Sequence, residues 1–291
     1  MHLLLPLLAS ILFVFGLIFV KRSGEAGAGP ITVMFVSNLF TSIAFSFLWL
    51  LGGTLQAWAM FWQPAVIAAL FMMGLAFTLL SVGRGDVSVA APIFGVKVVL
   101  VAMLLTFVGG ETLPKSVWYA AALAALGIAL IQWTGRGHFH HIVMTIVFAL
   151  AAATCFATFD FLVQTWSPAW GPGRFLPVVF WILGLVSLGL APWVEWSKLK
   201  DSQLLANLLP GATFVALQAL CITVAVAAFG DAARINVVYA LRGLWGVALA
   251  WAVAKTWGGA EADHGHQTMV TRMVGAGLLT VAVILVIFAR H

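Results

Sequence analysis

The residues best placed to do chemistry are two cations set in apolar sequence. Lys97 falls near the middle of Gly85–Glu111, GDVSVAAPIFGVKVVLVAMLLTFVGGE, and Arg242 lies in a second long apolar run. A cation at the centre of a membrane helix costs roughly 2.5–3.5 kcal/mol on insertion scales, so neither side chain is expected to face lipid. A flexible ammonium and a planar guanidinium in one cavity would hold a carboxylate or a phosphate, the guanidinium through paired N–H donors. The alternative is neutralisation inside the protein, by Asp86, Asp160 or Asp231. Acidic side chains are scarce within the apolar runs, which argues against full internal neutralisation.

The two cations are linked by an echo in the chain. Gly230-Asp231 repeats Gly85-Asp86, and Arg242 falls 145 positions after Lys97. The ending Gly109-Gly110-Glu111 returns, interrupted, as Gly258, Gly259 and Glu261. This pattern predicts two similar halves, each with one buried cation in its fourth segment.

Other side chains could line the same cavity. Tyr239, Trp245, Trp251, Asn236 and Gln218 are aromatic and polar candidates for substrate contact, with Asn38 and Gln164 weaker ones. An aromatic stripe in a membrane helix more often packs than binds. Asp160 stands among Phe156, Phe159 and Phe161, where desolvation would suit it to carry a proton; an ion-pair role is the competing reading. Asp86 and Asp231 are adequately explained as turn or helix-capping residues. His138, His140, His141, His264 and His266 with Asp263 would suit Zn, Ni or Cu, but read as solvated loop residues. No metal and no cofactor is expected.

These side chains must be positioned by membrane helices. The sequence is 63% hydrophobic and 8% charged, which excludes an ordinary soluble domain. The net charge of +5 is scattered, with no basic stripe for nucleic acid. Cys155 and Cys221 sit inside apolar runs and read as small apolar residues. Met1–Val20 lacks a charged leader and a cleavage site, so it reads as a first membrane helix rather than a signal peptide. The apolar runs predict ten helices: 3–20, 31–51, 65–82, 87–108, 116–133, 142–163, 175–194, 208–229, 235–255 and 270–289. Gly52–Pro64, with Trp58, Phe61 and Trp62, reads as an interfacial loop. Ala120, Ala124 and Gly127 form a small-residue face that allows close packing. The fold expected is an all-α integral membrane protein of ten helices in two inverted five-helix repeats, 1–135 and 142–291.

The pattern resembles the drug/metabolite transporter superfamily, in particular ten-helix proteins of the EamA type. The carriers are the short turn between the third and fourth segments, Gly110-Glu111, and Trp118 within TLPKSVWYAAALAALGIALI (112–131). The second half repeats them more weakly as GGAEADHGHQTMVTRMVGAGLLTVAVILV (258–286). Family members often carry proline in the middle of the fourth and ninth helices. Here those positions are Val98 and Gly243, each preceded by a cation.

The resemblance implies a secondary transporter that works by rocking of its halves, with a cavity lined by segments 1, 3, 4, 6, 8 and 9. The two cations point to a small organic solute, anionic or zwitterionic rather than cationic, moved by an exporter or exchanger in a bacterial inner membrane. Besides the solute and the bilayer, a homodimer through segments 5 and 10 is expected, and no nucleic-acid partner. The alternatives are a membrane enzyme acting on a lipid-linked anion and a non-transporting scaffold. The chain has no HExxH, GxSxG or P-loop and no Asp-rich pair. Orientation is in conflict: the family default puts both termini in the cytoplasm, whereas the loop charges favour the opposite.

Overall fold

The computed structural model describes residues 2–83, 93–132, 142–246, 248 and 266–288. Among these residues every regular element is helical. In chain order the α-helices are α1 (Leu4–Glu25), α2 (Pro30–Ser46), α3 (Trp62–Gly83), α4 (Lys97–Met103), α5 (Lys115–Gln132), α6 (Ile142–Trp170), α7 (Pro172–Leu188), α8 (Ser202–Phe229), α9 (Ala232–Tyr239) and α10 (His266–Phe288). Six helical stretches are long and apolar enough to cross a bilayer, and shorter apolar helices accompany them at Lys97–Val108, Lys115–Ile131 and Pro172–Leu188. With this many such helices the chain is a multi-pass integral membrane protein.

Several elements differ from the sequence expectation. Helix α6 does not stop at 163 but runs to Trp170. Its polar residues there do not end the helix because they are accommodated inside the protein: Gln164 and Ser167 are buried, and the Ser167 hydroxyl donates to the Ala227 carbonyl at 3.3 Å. Gly171, at φ 77°, supplies the stop. Helix α8 starts at Ser202, inside the expected polar loop, because the Asp201 side chain accepts from the Gln203 N–H at 2.8 Å and caps it. Helix α1 continues to Glu25, so Lys21 and Arg22 ride on a helix rather than a loop.

The chain forms two compact units, each drawing on both halves of the sequence: Met1–Met72 with Leu162–Gly230, and Met73–Phe161 with Asp231–His291. In the first unit α1 and α8 meet through glycines. A Cβ on Gly16 would lie 3.1 Å from Val215, and one on Gly211 would lie 3.2 Å from Phe19. One end of this unit is latched by Glu195. Its Oε2 accepts from the N–H of Gly29, the residue that opens α2, at 2.7 Å, and its Oε1 takes the Lys198 ammonium, also at 2.7 Å. Lys198 in turn donates to the Gly27 carbonyl at 2.8 Å. A carboxylate at a helix N-terminus meets unpaired N–H groups and the positive end of the helix dipole. Together with the Lys198 ammonium, that N–H holds the Glu195 carboxyl below the usual glutamate range.

At the other end Thr54 N–H donates to the Trp170 carbonyl at 2.7 Å, and Arg174 donates to the Trp49 carbonyl at 2.9 Å while lying 4.7 Å over the Trp49 ring. The exposed rings of Trp58 and Trp62 lie just before α3 and at its first residue. The stretch Gly52–Pro64 is not all loop, because residues 58–60 form a short helical turn and α3 already begins at Trp62.

In the second unit α5 packs against α10 through the expected small-residue face. Ala120 and Ala124 are fully buried. A Cβ on Gly127 would come within 2.8 Å of the Gly275 carbonyl, and one on Gly275 within 2.7 Å of the Gly127 carbonyl. This seam is therefore filled within one chain. Helix α4 runs on into a π-helical turn, Leu104–Val108. The turn closes with Gly109 N–H to Leu104 O at 2.9 Å and Glu111 N–H to Leu105 O at 3.0 Å. Gly110 is left-handed there at φ 71°, and a Cβ on Gly109 would sit 2.7 Å from the Leu105 carbonyl. The Gly109-Gly110-Glu111 motif is thus the wide turn that ends this helix.

Candidate functional site

The two cation-bearing segments were each expected to be one continuous helix, and each is instead broken immediately before its cation. Residues 95–96 form a turn before α4 starts at Lys97, and residues 240–241 form a turn after α9, with helix resuming over 242–246. The hydrogen bonds around the breaks match at the offset seen in the sequence. Val96 N–H donates to Ile93 O, Val98 N–H to Gly95 O, and Leu100 N–H to Val96 O, at 2.9, 3.2 and 3.0 Å. Their counterparts 145 positions on are Leu241 to Val238, Gly243 to Ala240 and Trp245 to Leu241, at 3.1, 3.0 and 3.0 Å. The break needs no proline: glycine and alanine stand at its first position, and tighter i→i−3 bonds satisfy the backbone. Broken membrane helices survive only where the loosened backbone is buried in protein or lines a cavity.

All of the central groups belong to the second unit. The Lys97 ammonium lies 2.7 Å from Asp160 Oδ2 and 6.0 Å above the Phe156 ring. The same Asp160 oxygen accepts from the Asn236 amide at 2.8 Å, whose other N–H goes to the Ala232 carbonyl at 2.9 Å. The Asp160 side chain is 5% exposed and the Lys97 side chain 15%, so Lys97 is the less deeply buried partner. Asn236, Tyr239 and Arg242 follow one another at three-residue spacing along α9 and past its break, a spacing that groups side chains on one helix face. The Arg242 guanidinium lies 4.4 Å over the Tyr239 ring. It is also close enough to Lys97 for the two cations to repel.

The structure therefore gathers Lys97, Asp160, Asn236, Tyr239 and Arg242. Asp160 has ten residues of α6 beyond it, about 15 Å of helix, and so is not the near-terminal residue the shorter helix implied. Over residues 1–133 the sequence matches the model of the EamA-like transporter family. This stretch belongs to that family, within the drug/metabolite transporter superfamily. No curated protein matches the chain in sequence. A solved structure, described only as a crystal structure of a protein, is similar to it at 13% identity and a TM-score of 0.71, over 98% of this chain and 96% of that one. That likeness concerns the fold.

The remaining candidates are spread over both units of the chain. Trp245 is half-buried in the stretch after Arg242. Gln218, on α8, and Gln164 belong to the first unit, as does Asn38, whose amide donates to the Ser187 hydroxyl at 2.9 Å. Asp231 caps α9 by accepting from the Arg234 N–H at 3.4 Å, as expected of a capping residue. Its other oxygen lies 3.6 Å from the buried Arg234 guanidinium. Asp86, Trp251, His138, His140, His141, Asp263 and His264 lie outside the described residues, as does the side chain of His266. Sequence reasoning missed Gly74. A Cβ there would lie 2.8 Å from the Phe156 ring, so its absence seats the ring over which Lys97 is held. A glycine in the middle of an apolar run carries no signal of that contact.

Proposed function

We propose that the protein is a secondary transporter for a small organic anion or zwitterion, working by alternating access in a bacterial inner membrane. The halves 1–135 and 142–291 act as inverted five-helix repeats, and no chemical conversion takes place. The observation that carries this reading is the placement of Lys97 and Arg242. They follow matched helix breaks, 145 positions apart, and share one charge field. Two like charges in one low-dielectric site repel, and Asp160 is the carboxylate paired with Lys97. A substrate anion relieves that repulsion when it binds. The half-buried Phe156 ring would meet the apolar part of a small molecule.

The test is thermal stabilisation of the purified full-length protein by gluconate, lactate, phenylalanine, inorganic phosphate and tetraphenylphosphonium. The Lys97→Ala/Arg242→Ala double variant is measured alongside, followed by uptake of the best stabiliser into proteoliposomes. A ligand that binds the folded state raises stability with its concentration over its dissociation constant. Stabilisation by an anion or zwitterion, lost in the double variant, supports the reading. Stabilisation by the lipophilic cation alone, unchanged in the variant, overturns it. Turnover of a lipid without any vesicle gradient would point to the enzyme alternative.

A further inference from the structure

Resting on that reading, we infer that the site binds its anion together with a proton, so that a singly charged organic acid is carried electroneutrally in the same direction as the proton. The geometry that carries this is the sharing of one carboxylate oxygen. Asp160 Oδ2 holds the Lys97 ammonium at 2.7 Å and the Asn236 amide at 2.8 Å. An incoming carboxylate that takes Lys97 must compete with Asp160 for it, and Lys97 is the less deeply buried side chain of the two.

The consequence follows from burial. Asp160 loses its counter-ion and keeps only the neutral Asn236 donor. A buried carboxylate with one amide hydrogen bond is far from compensated. It takes a proton from solvent on one oxygen, and its carbonyl oxygen goes on accepting from Asn236. Asn236 thus holds the side chain in both states. The charged and titratable neighbours do not reverse the sign. From α4 there is Lys97; from α9 there is Tyr239, with Arg242 beyond its break; α6 itself carries no other charged side chain, Cys155 being its other titratable group. Elsewhere in this unit, among the described residues, Asp231 is paired with Arg234, and Glu111, Lys115, Tyr119 and Arg272 complete the set.

Linkage fixes the direction of coupling. If the anion favours the protonated state of Asp160, the proton favours the anion by the same factor. Proton and substrate therefore load together and do not displace each other. With one proton and one monocarboxylate bound, the charge of the loaded site equals that of the empty one.

The experiment measures binding of gluconate and lactate to the full chain in detergent at pH 6 and pH 8, by thermal stabilisation. A pH indicator in weak buffer records the protons taken up. The expected result is an affinity that rises up to about tenfold per pH unit on acidification, the limit for one linked proton, with about one proton taken up per anion bound. Asp160→Asn is expected to bind at pH 8 as the natural protein does at pH 6, with that proton uptake gone. Should this variant not fold, the proton count of the natural protein decides alone. Binding that is independent of pH, or that releases protons, overturns the coupling and leaves the anion reading standing. No binding of any anion at either pH overturns both.

Discussion

Lys97 and Asp160 form a 2.7 Å ion pair between α4 and α6, and the carboxylate oxygen that holds the ammonium also holds the Asn236 amide. Removing one member of such a pair strands the other. Lys97→Ala should cost up to about 3–5 kcal/mol, because Asp160 is left buried without its counter-ion and must either stay charged or take up a proton. Adding Asp160→Asn should return part of that loss, since a neutral amide needs no counter-ion. Thermal unfolding of the single and double variants in detergent checks this. A double variant less stable than Lys97→Ala would show that the pair is not what Lys97 provides.

The α5–α10 seam is set by two glycines facing each other's carbonyls. Gly127→Leu or Gly275→Leu would drive a side chain into backbone that cannot give way, at a cost of about 1–3 kcal/mol. Gly277→Leu on the same helix, where a Cβ meets nothing within 4 Å, should be nearly neutral. Melting temperatures of the three variants separate the seam from a general intolerance of bulk.

Much of this was legible in the sequence, for reasons that differ by residue. Apolar runs report membrane helices because lipid admits little else. The 145-residue echo placed Lys97 and Arg242 in matching positions, and the matching hydrogen bonds appear at that offset. The breaks themselves were not legible. Gly95-Val96 and Ala240-Leu241 carry no proline, and a two-residue turn leaves no trace in hydropathy. Nor was the choice of Asp160 over Asp86 or Asp231 as the partner of Lys97. That depends on how α4 and α6 cross, which chain spacing does not encode. The length of α6 was underestimated because Gln164 and Ser167 look like a helix end until burial shows them inside the protein.

The Glu195 latch should show in the pH dependence of stability. Its carboxyl is held below the usual range by the Lys198 ammonium and the Gly29 N–H. A group whose folded value is lowered contributes stability above its unfolded value, near 4.3 for glutamate, and that contribution is lost as pH falls through the lowered value. Glu195→Gln should therefore melt below the natural protein at pH 7, and the gap should close below about pH 4. A gap that stays constant across this range would mean that the contacts stabilise without the charge.

The paired breaks make a prediction about proline. Val98 and Gly243 are the positions at which the sequence resemblance led proline to be expected. Their N–H groups make the short i→i−3 bonds to Gly95 and Ala240 that close the turns. Val98→Pro or Gly243→Pro gives up that one bond, about 1 kcal/mol, at a point where the helix is already interrupted. Val101→Pro, at a fully buried position inside α4, removes an i→i−4 bond and drives the ring into the preceding turn, about 3 kcal/mol or more. The first two variants should fold and bind the same ligand as the natural protein, while the third should be markedly less stable. If Val98→Pro proved as damaging as Val101→Pro, the turn at 95–96 would not relieve the backbone there. The correspondence between the two breaks would then not extend to how each tolerates proline.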